Sequence, residues 1–273
     1  MTTGTVSADV AGIVAQRGHG GVPTAVSDIL NVTRRNLIKN IRTPQVVIFS
    51  AIQPVLILLL FTYVFGGIAS VPGVSYRLFV VPAVLIQTMS FSAMSTGIAL
   101  TTDLAEGMID RFRSLPITRS AVLAGRTMAD LARSTFSLGL MILVSYGIGF
   151  RFKAGALPAL GAMGVAMLFA FAFSWISATI GLAVKDPEAA QAAGFIWIFP
   201  LIFASTAFTP LDRLPGWMQP WARINPISST AEALRALSLG GPTTTPLWHA
   251  VAWLAGIVVV FSVLSVRVYR RTV

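Results

Sequence analysis

The chain has 273 residues, 55% of them hydrophobic and only 11% charged. Soluble domains carry about 25% charged residues, so this composition excludes an ordinary water-soluble fold and indicates one all-α unit embedded in a membrane. The formal net charge of +10 does not indicate a nucleic-acid partner, because Lys and Arg gather at the ends of apolar stretches; the absence of cysteine excludes disulfides and thiolate metal sites.

Residues 1–24 lack a basic start followed by a strong apolar core, and read as a flexible cytoplasmic tail rather than a signal peptide. Over 25–43, Val26, Ile29, Leu30, Leu37 and Ile41 recur at helical spacing, with Arg34, Arg35, Lys39 and Arg42 on the other side. Ser27 or Asp28 caps this segment and Pro44 ends it. It reads as a basic interfacial helix beside the membrane, or as the water-exposed start of the first span. Crossing about 30 Å of hydrocarbon takes roughly 20 apolar residues. Six stretches qualify, at about 46–66, 78–101, 127–150, 157–184, 189–208 and 247–266.

The first span contains Pro54, which predicts a kink. The second carries Gln87, Thr88, Ser90, Ser92, Ser95 and Thr96, which either permit close helix contact or line a polar path. In the third, Asp130 and Arg133 stand three apart and pair on one helix face. Lys185-Asp186-Pro187-Glu188 joins the fourth and fifth spans by a tight turn. Over 209–246, Pro210, Pro215, Pro220 and Pro226 break the chain, while Leu214, Trp217, Met218 and Trp221 supply interfacial anchors. Re-entrant or interface-lying helices are expected there, one of them with a Ser229/Glu232 capping box and an end at Gly240-Gly241. Placing both termini in the cytoplasm puts fourteen of the twenty basic residues inside. The remaining six are outside: Arg77, Arg151, Lys153, Arg213, Arg223 and Arg235.

Between the second and third spans lies an island of charge. Glu106, Asp110, Arg111 and Arg113 surround a partial helical stripe of Leu104, Met108, Ile109, Phe112 and Leu115, which Pro116 ends. Such a segment either docks a soluble partner, with Met108 and Phe112 as anchors, or is a solvated loop. No Walker A loop, HExxH pair, GxSxG elbow or mid-span carboxylate pair is present. The chain is therefore expected to be no enzyme, to bind no cofactor itself, and to take its energy from another polypeptide.

The stretch Glu106-Gly107-Met108-Ile109-Asp110-Arg111-Phe112-Arg113-Ser114-Leu115-Pro116 resembles the cytoplasmic loop of type 2 ABC exporter permeases of the daunorubicin-resistance subfamily. Lys185-Asp186-Pro187-Glu188-Ala189-Ala190-Gln191-Ala192 resembles the same family's connection between spans four and five. Ala207-Phe208-Thr209-Pro210, Leu214-Pro215-Gly216-Trp217 and Asn225-Pro226-Ile227 resemble its outer segment. The resemblance implies a six-span permease over 25–273 in a bacterial plasma membrane, paired with a second permease half, identical or not, and two ATP-binding subunits that hold the ATP and magnesium. Residues 104–115 then correspond to its coupling helix and 25–43 to its interfacial helix. The cargo it implies is a hydrophobic drug or lipid, with polysaccharide in related branches. Met89, Phe91, Met94, Phe195, Phe199 and Phe203 are the candidate wall of a cargo path. The segment 209–246 is the candidate outer gate. A non-transporting scaffold or a membrane-embedded enzyme are the alternatives from other classes.

Overall fold

The computed structural model describes residues 44–67, 74–107, 119–184 and 186–272. The expected tail over 1–24, the interfacial helix over 25–43 and the island residues 108–115 lie outside the described residues. A backbone in lipid must bond to itself, which leaves helices as the economical solution for these sequences. Helix α1 covers Pro44–Leu59 and continues as a π turn over Leu60–Val64 and a 3-10 turn over Phe65–Gly67. Helices α2 (Tyr76–Ala105), α3 (Arg119–Gly147) and α4 (Ala156–Val184) follow. Then come α5 (Pro187–Phe203), the short α6 (Gln219–Ile224), α7 (Pro226–Leu239) and α8 (Thr244–Thr272). Among the described residues, three segments are long and apolar enough to cross a bilayer: Tyr76–Ala105, Ala156–Val184 and Thr244–Tyr269; Ile52–Val64 and Pro187–Phe203 are shorter apolar helices.

Helix α2 is the central one, and every residue from Phe79 to Ser90 is buried. It packs most extensively on α4 and also touches α1, α3, α5 and α7. Small residues set the α2–α4 crossing. A Cβ at Gly97 would collide with the Ser177 carbonyl, and one at Gly181 with the Gly97 carbonyl. Thr101 Oγ1 then donates to Gly97 O at 2.7 Å and to Gly181 O at 3.3 Å, joining the two backbones. Helix α8 lies on α4 and α7 and leaves Trp248, Trp253, Val259, Val260 and Val263 exposed, as a lipid-facing surface does.

The bundle has two ends. At one, the first turn of α2, the α3–α4 connection and the 204–240 segment meet, with Lys153 N–H donating to Ser238 O at 2.8 Å. At the other, Leu100, Leu104, Ala178, Leu182, Val268 and Tyr269 form a second cluster from the far ends of α2, α4 and α8. Helices α2, α4 and α8 therefore run one way and α3 and α5 the other. The α4–α5 turn is tight because Asp186 caps α5, accepting from Ala189 N–H at 2.7 Å, and Pro187 starts the helix.

Pro54 lies inside α1, as the sequence places it, and the ladder changes register at Leu60–Val64. Two local expectations are corrected. Helix α7 does not begin at a Ser229/Glu232 capping box. Asn225 is its cap, accepting from Ile227 N–H at 2.9 Å, while Ser229 lies within the helix. Helix α5 stops at Phe203, short of 208, because Asn225 Nδ2 donates to the carbonyls of Leu201 (2.8 Å) and Ala204 (3.0 Å) there. The Gly240-Gly241 end of α7 is as expected, with φ of 88° and 142°.

Candidate functional site

Phe195, Phe199 and Phe203 stand at i, i+4 and i+8 on α5, so they share one face. Their ring centroids are 5.4 and 5.6 Å apart. Phe91 of α2 meets Phe195 at 6.2 Å and Phe199 at 6.1 Å. The run then continues past the end of α5, from Phe203 to Phe208 (6.3 Å), Phe61 (4.6 Å) and Phe65 (5.1 Å). Phe65, Phe199 and Phe203 are 42%, 40% and 53% exposed, whereas Phe61, Phe91, Phe195 and Phe208 pack partly buried against the core, so the run is open at three of its seven rings. Such a surface offers dispersion and ring-quadrupole contacts to a planar apolar molecule.

Of the six candidate wall residues, four (Phe91, Phe195, Phe199 and Phe203) form this run. Met94 lies at its buried base, where its Cγ and Sδ occupy the place of a Cβ on Gly194. Met89 is fully enclosed in the core. Phe61, Phe65 and Phe208 are the residues the sequence reading lacked. Phe61 and Phe65 carry the i, i+4 signal, but nothing in the sequence places them beside α5. The hydroxyls of α2 mostly bond to their own helix, as Thr88 Oγ1 to Val84 O (2.7 Å) and Ser90 Oγ to Ile86 O (2.9 Å).

Where the sequence places the coupling segment, Glu106 is exposed just past α2 and donates its N–H to Thr102 O at 2.9 Å. Gly107, at φ 65°, turns the chain there. About four helical turns along α2, α3 is fastened to it. Arg133 Nη2 donates to Ser92 O at 2.9 Å and approaches Asp130 Oδ1 at 3.4 Å, and the Ser92 and Ser134 hydroxyls bond at 2.8 Å. The expected Asp130–Arg133 pair is present, and it reaches across to α2. A pull on the connection between α2 and α3 is therefore shared by both helices.

At the other end of the bundle is a polar knot that sequence reasoning missed. Arg235, counted there among exterior loop charges, turns inward from α7. Its Nε donates to Phe79 O at 3.2 Å, its Nη1 to Thr206 O at 2.9 Å and its Nη2 to Ala207 O. The guanidinium carbon lies 3.6 Å from the centroid of the Phe79 ring. Thr206 N–H donates to Ser228 Oγ at 2.9 Å, and Thr206 Oγ1 to Glu232 Oε1 at 3.1 Å. Among the described residues, no group of three or more His, Cys, Asp or Glu side chains is placed to hold a metal ion.

The ABC-2 type transporter family profile matches residues 27–239. A daunorubicin resistance ABC transporter permease of Streptomyces coeruleorubidus is 34% identical over 273 residues, covering 99% of this chain and 95% of that protein. A probable doxorubicin resistance ABC transporter permease of Mycobacterium tuberculosis is 28% identical over 247 residues, covering 90% of this chain and 89% of that protein. A second doxorubicin resistance permease of that organism is 30% identical over 213 residues, covering 76% and 73%.

Proposed function

The chain belongs to the ABC-2 type transporter family, and on that premise we propose that it is the membrane permease of an ATP-driven exporter of hydrophobic, planar drugs. The observation that carries the cargo class is the run of phenylalanine rings from Phe195 to Phe65, exposed at Phe199, Phe203 and Phe65, in a chain whose relatives are named for resistance to daunorubicin and doxorubicin. Stacking on aromatic faces is adaptable, because it demands a flat apolar partner rather than a particular hydrogen-bond pattern.

The chain crosses the membrane six times, α1, α2, α3, α4, α5 and α8 being the spans, with both termini in the cytoplasm. The α2–α3 connection then faces the ATP-binding subunits, and the end of the bundle that holds Arg235 faces outward. A second permease half, identical or related, completes the path. ATP binding draws the two ATP-binding subunits together; their movement enters through Met108, Ile109, Asp110, Arg111, Phe112, Arg113 and Leu115. The Arg133–Ser92 bond passes it to α2 and α3 jointly.

A coupling experiment tests this reading. The chain is co-expressed with its ATP-binding subunit, and Glu106→Lys, Asp110→Lys and Phe112→Ala are compared with wild type. A buried anchor at an interface is worth about 2 kcal/mol, so Phe112→Ala weakens assembly roughly thirty-fold. All three variants insert normally and lose drug-stimulated ATP hydrolysis. Wild-type stimulation in every one of them contradicts the docking role.

A further inference from the structure

The guanidinium of Arg235 belongs to α7, yet it donates to carbonyls outside that helix. Its three partners are the Phe79 carbonyl in the first turn of α2 and the Thr206 and Ala207 carbonyls in the turn after α5. The bonds around it follow the same logic. Asn225 takes the terminal carbonyls of α5, Ser228 and Glu232 take the Thr206 N–H and hydroxyl, and Ser238 O takes the Lys153 N–H. A partly buried cation is unfavourable unless its donors are occupied, and packing alone would be better served by an apolar side chain. The planar fork of Arg fits three carbonyls held at fixed positions, which the point charge of Lys does not.

We propose that Arg235 is a positioning residue that fastens the 204–239 segment to the outer end of α2, so that the two move as one body when the permease opens. The inference rests on the permease reading and refines the outer gate. Lifting the segment by itself would carry the Thr206 and Ala207 carbonyls along, but would break the Arg235 Nε bond to Phe79 O and pull the guanidinium off the Phe79 ring. Moving it together with α2 keeps both Phe79 contacts intact. Opening is therefore a displacement of α2 with its cap, and the energy entering at the cytoplasmic end of α2 reaches the gate along a single helix.

The native chain has no cysteine, so introduced labels report without background. Ser75→Cys, just before α2, and Arg223→Cys, at the end of α6, are both exposed. In the assembled complex, doubly labelled chain is diluted with unlabelled chain and the interlabel distance is read by electron paramagnetic resonance. The two states compared are nucleotide-free and ATP-trapped, with trapping verified by retained nucleotide. One body predicts the same distance distribution in both states. A shift of about one helical turn (~5 Å) or more overturns the proposal. Arg235→Lys supplies the functional readout: insertion, assembly and ATP turnover stay near wild type, while drug exported per ATP falls roughly ten-fold, as loss of a charge-assisted bond implies. An unchanged export-to-ATP ratio overturns the proposal, and so does a parallel loss of assembly and both rates, which marks Arg235 as structural only. Absence of ATP-driven export by the wild-type complex strikes the permease reading instead.

Discussion

At Gly97 the carbonyl of Ser177 stands where a side chain would begin, so the α2–α4 crossing depends on the missing Cβ. Gly97→Ala forces the two helices apart and is expected to destabilise the detergent-solubilised protein by about 1–3 kcal/mol, measured by denaturant or thermal unfolding. Gly139, which has open space around its Cα, tolerates the same change without a shift in the midpoint. Arg133 and Asp130 allow a second comparison. The pair is partly buried, with Arg133 30% and Asp130 10% exposed; removing one member leaves the other charge less well compensated, whereas removing both relieves it. Asp130→Leu is therefore expected to destabilise more than the Asp130→Leu/Arg133→Leu double variant, and the reverse order in the same unfolding assay contradicts the pairing. This pair was legible in the sequence, because i, i+3 spacing on a helix fixes who meets whom. Arg235 was not. Its partners are backbone carbonyls some 28, 29 and 156 positions away, and carbonyls carry no residue signature.

At the scale of elements, the aromatic run predicts a graded loss. Phe199→Ala and Phe203→Ala each remove one exposed ring from a stack and should raise the drug concentration that half-saturates export. A lost aromatic contact of this kind is worth about 0.5–1.5 kcal/mol, or roughly two- to ten-fold in that concentration. Replacing Leu157, an exposed apolar residue on α4 remote in sequence from the run, is the lipid-facing control and leaves the concentration unchanged. Equal effects at Leu157 and Phe199 contradict a cargo path on α5. The α5 part of this face was readable from Phe195, Phe199 and Phe203 at four-residue spacing. Its continuation to Phe208, Phe61 and Phe65 depends on how α5 ends and on the π turn over Leu60–Val64, and neither has a local sequence rule strong enough to foresee it. The start of α7 shows the same limit: Asn225 and Ser229 both offer cap chemistry, and the tertiary bonds of Asn225 to α5 decide between them.

For the whole molecule, length and apolar composition suffice to find helices in a membrane, because each must satisfy its own backbone and match the bilayer thickness. They do not say which helix is central. In water, periodicity separates a core face from a wet face. In lipid both faces are apolar, so α2 and α8 look alike in sequence although one is enclosed and the other faces outward. The two-ended arrangement places the C-terminal end of α2 at one end and the Arg235 knot at the other, about the length of α2 apart. That separation is what an exporter driven from one side and gated on the other requires. The central claim, that this chain moves a planar apolar drug with energy borrowed from a partner, is tested most directly in sealed proteoliposomes holding the chain and its ATP-binding subunit. The account predicts doxorubicin movement across the bilayer that needs ATP, the ATP-binding subunit and this chain together. Hydrolysis of ATP by the intact assembly without any net drug movement would contradict it.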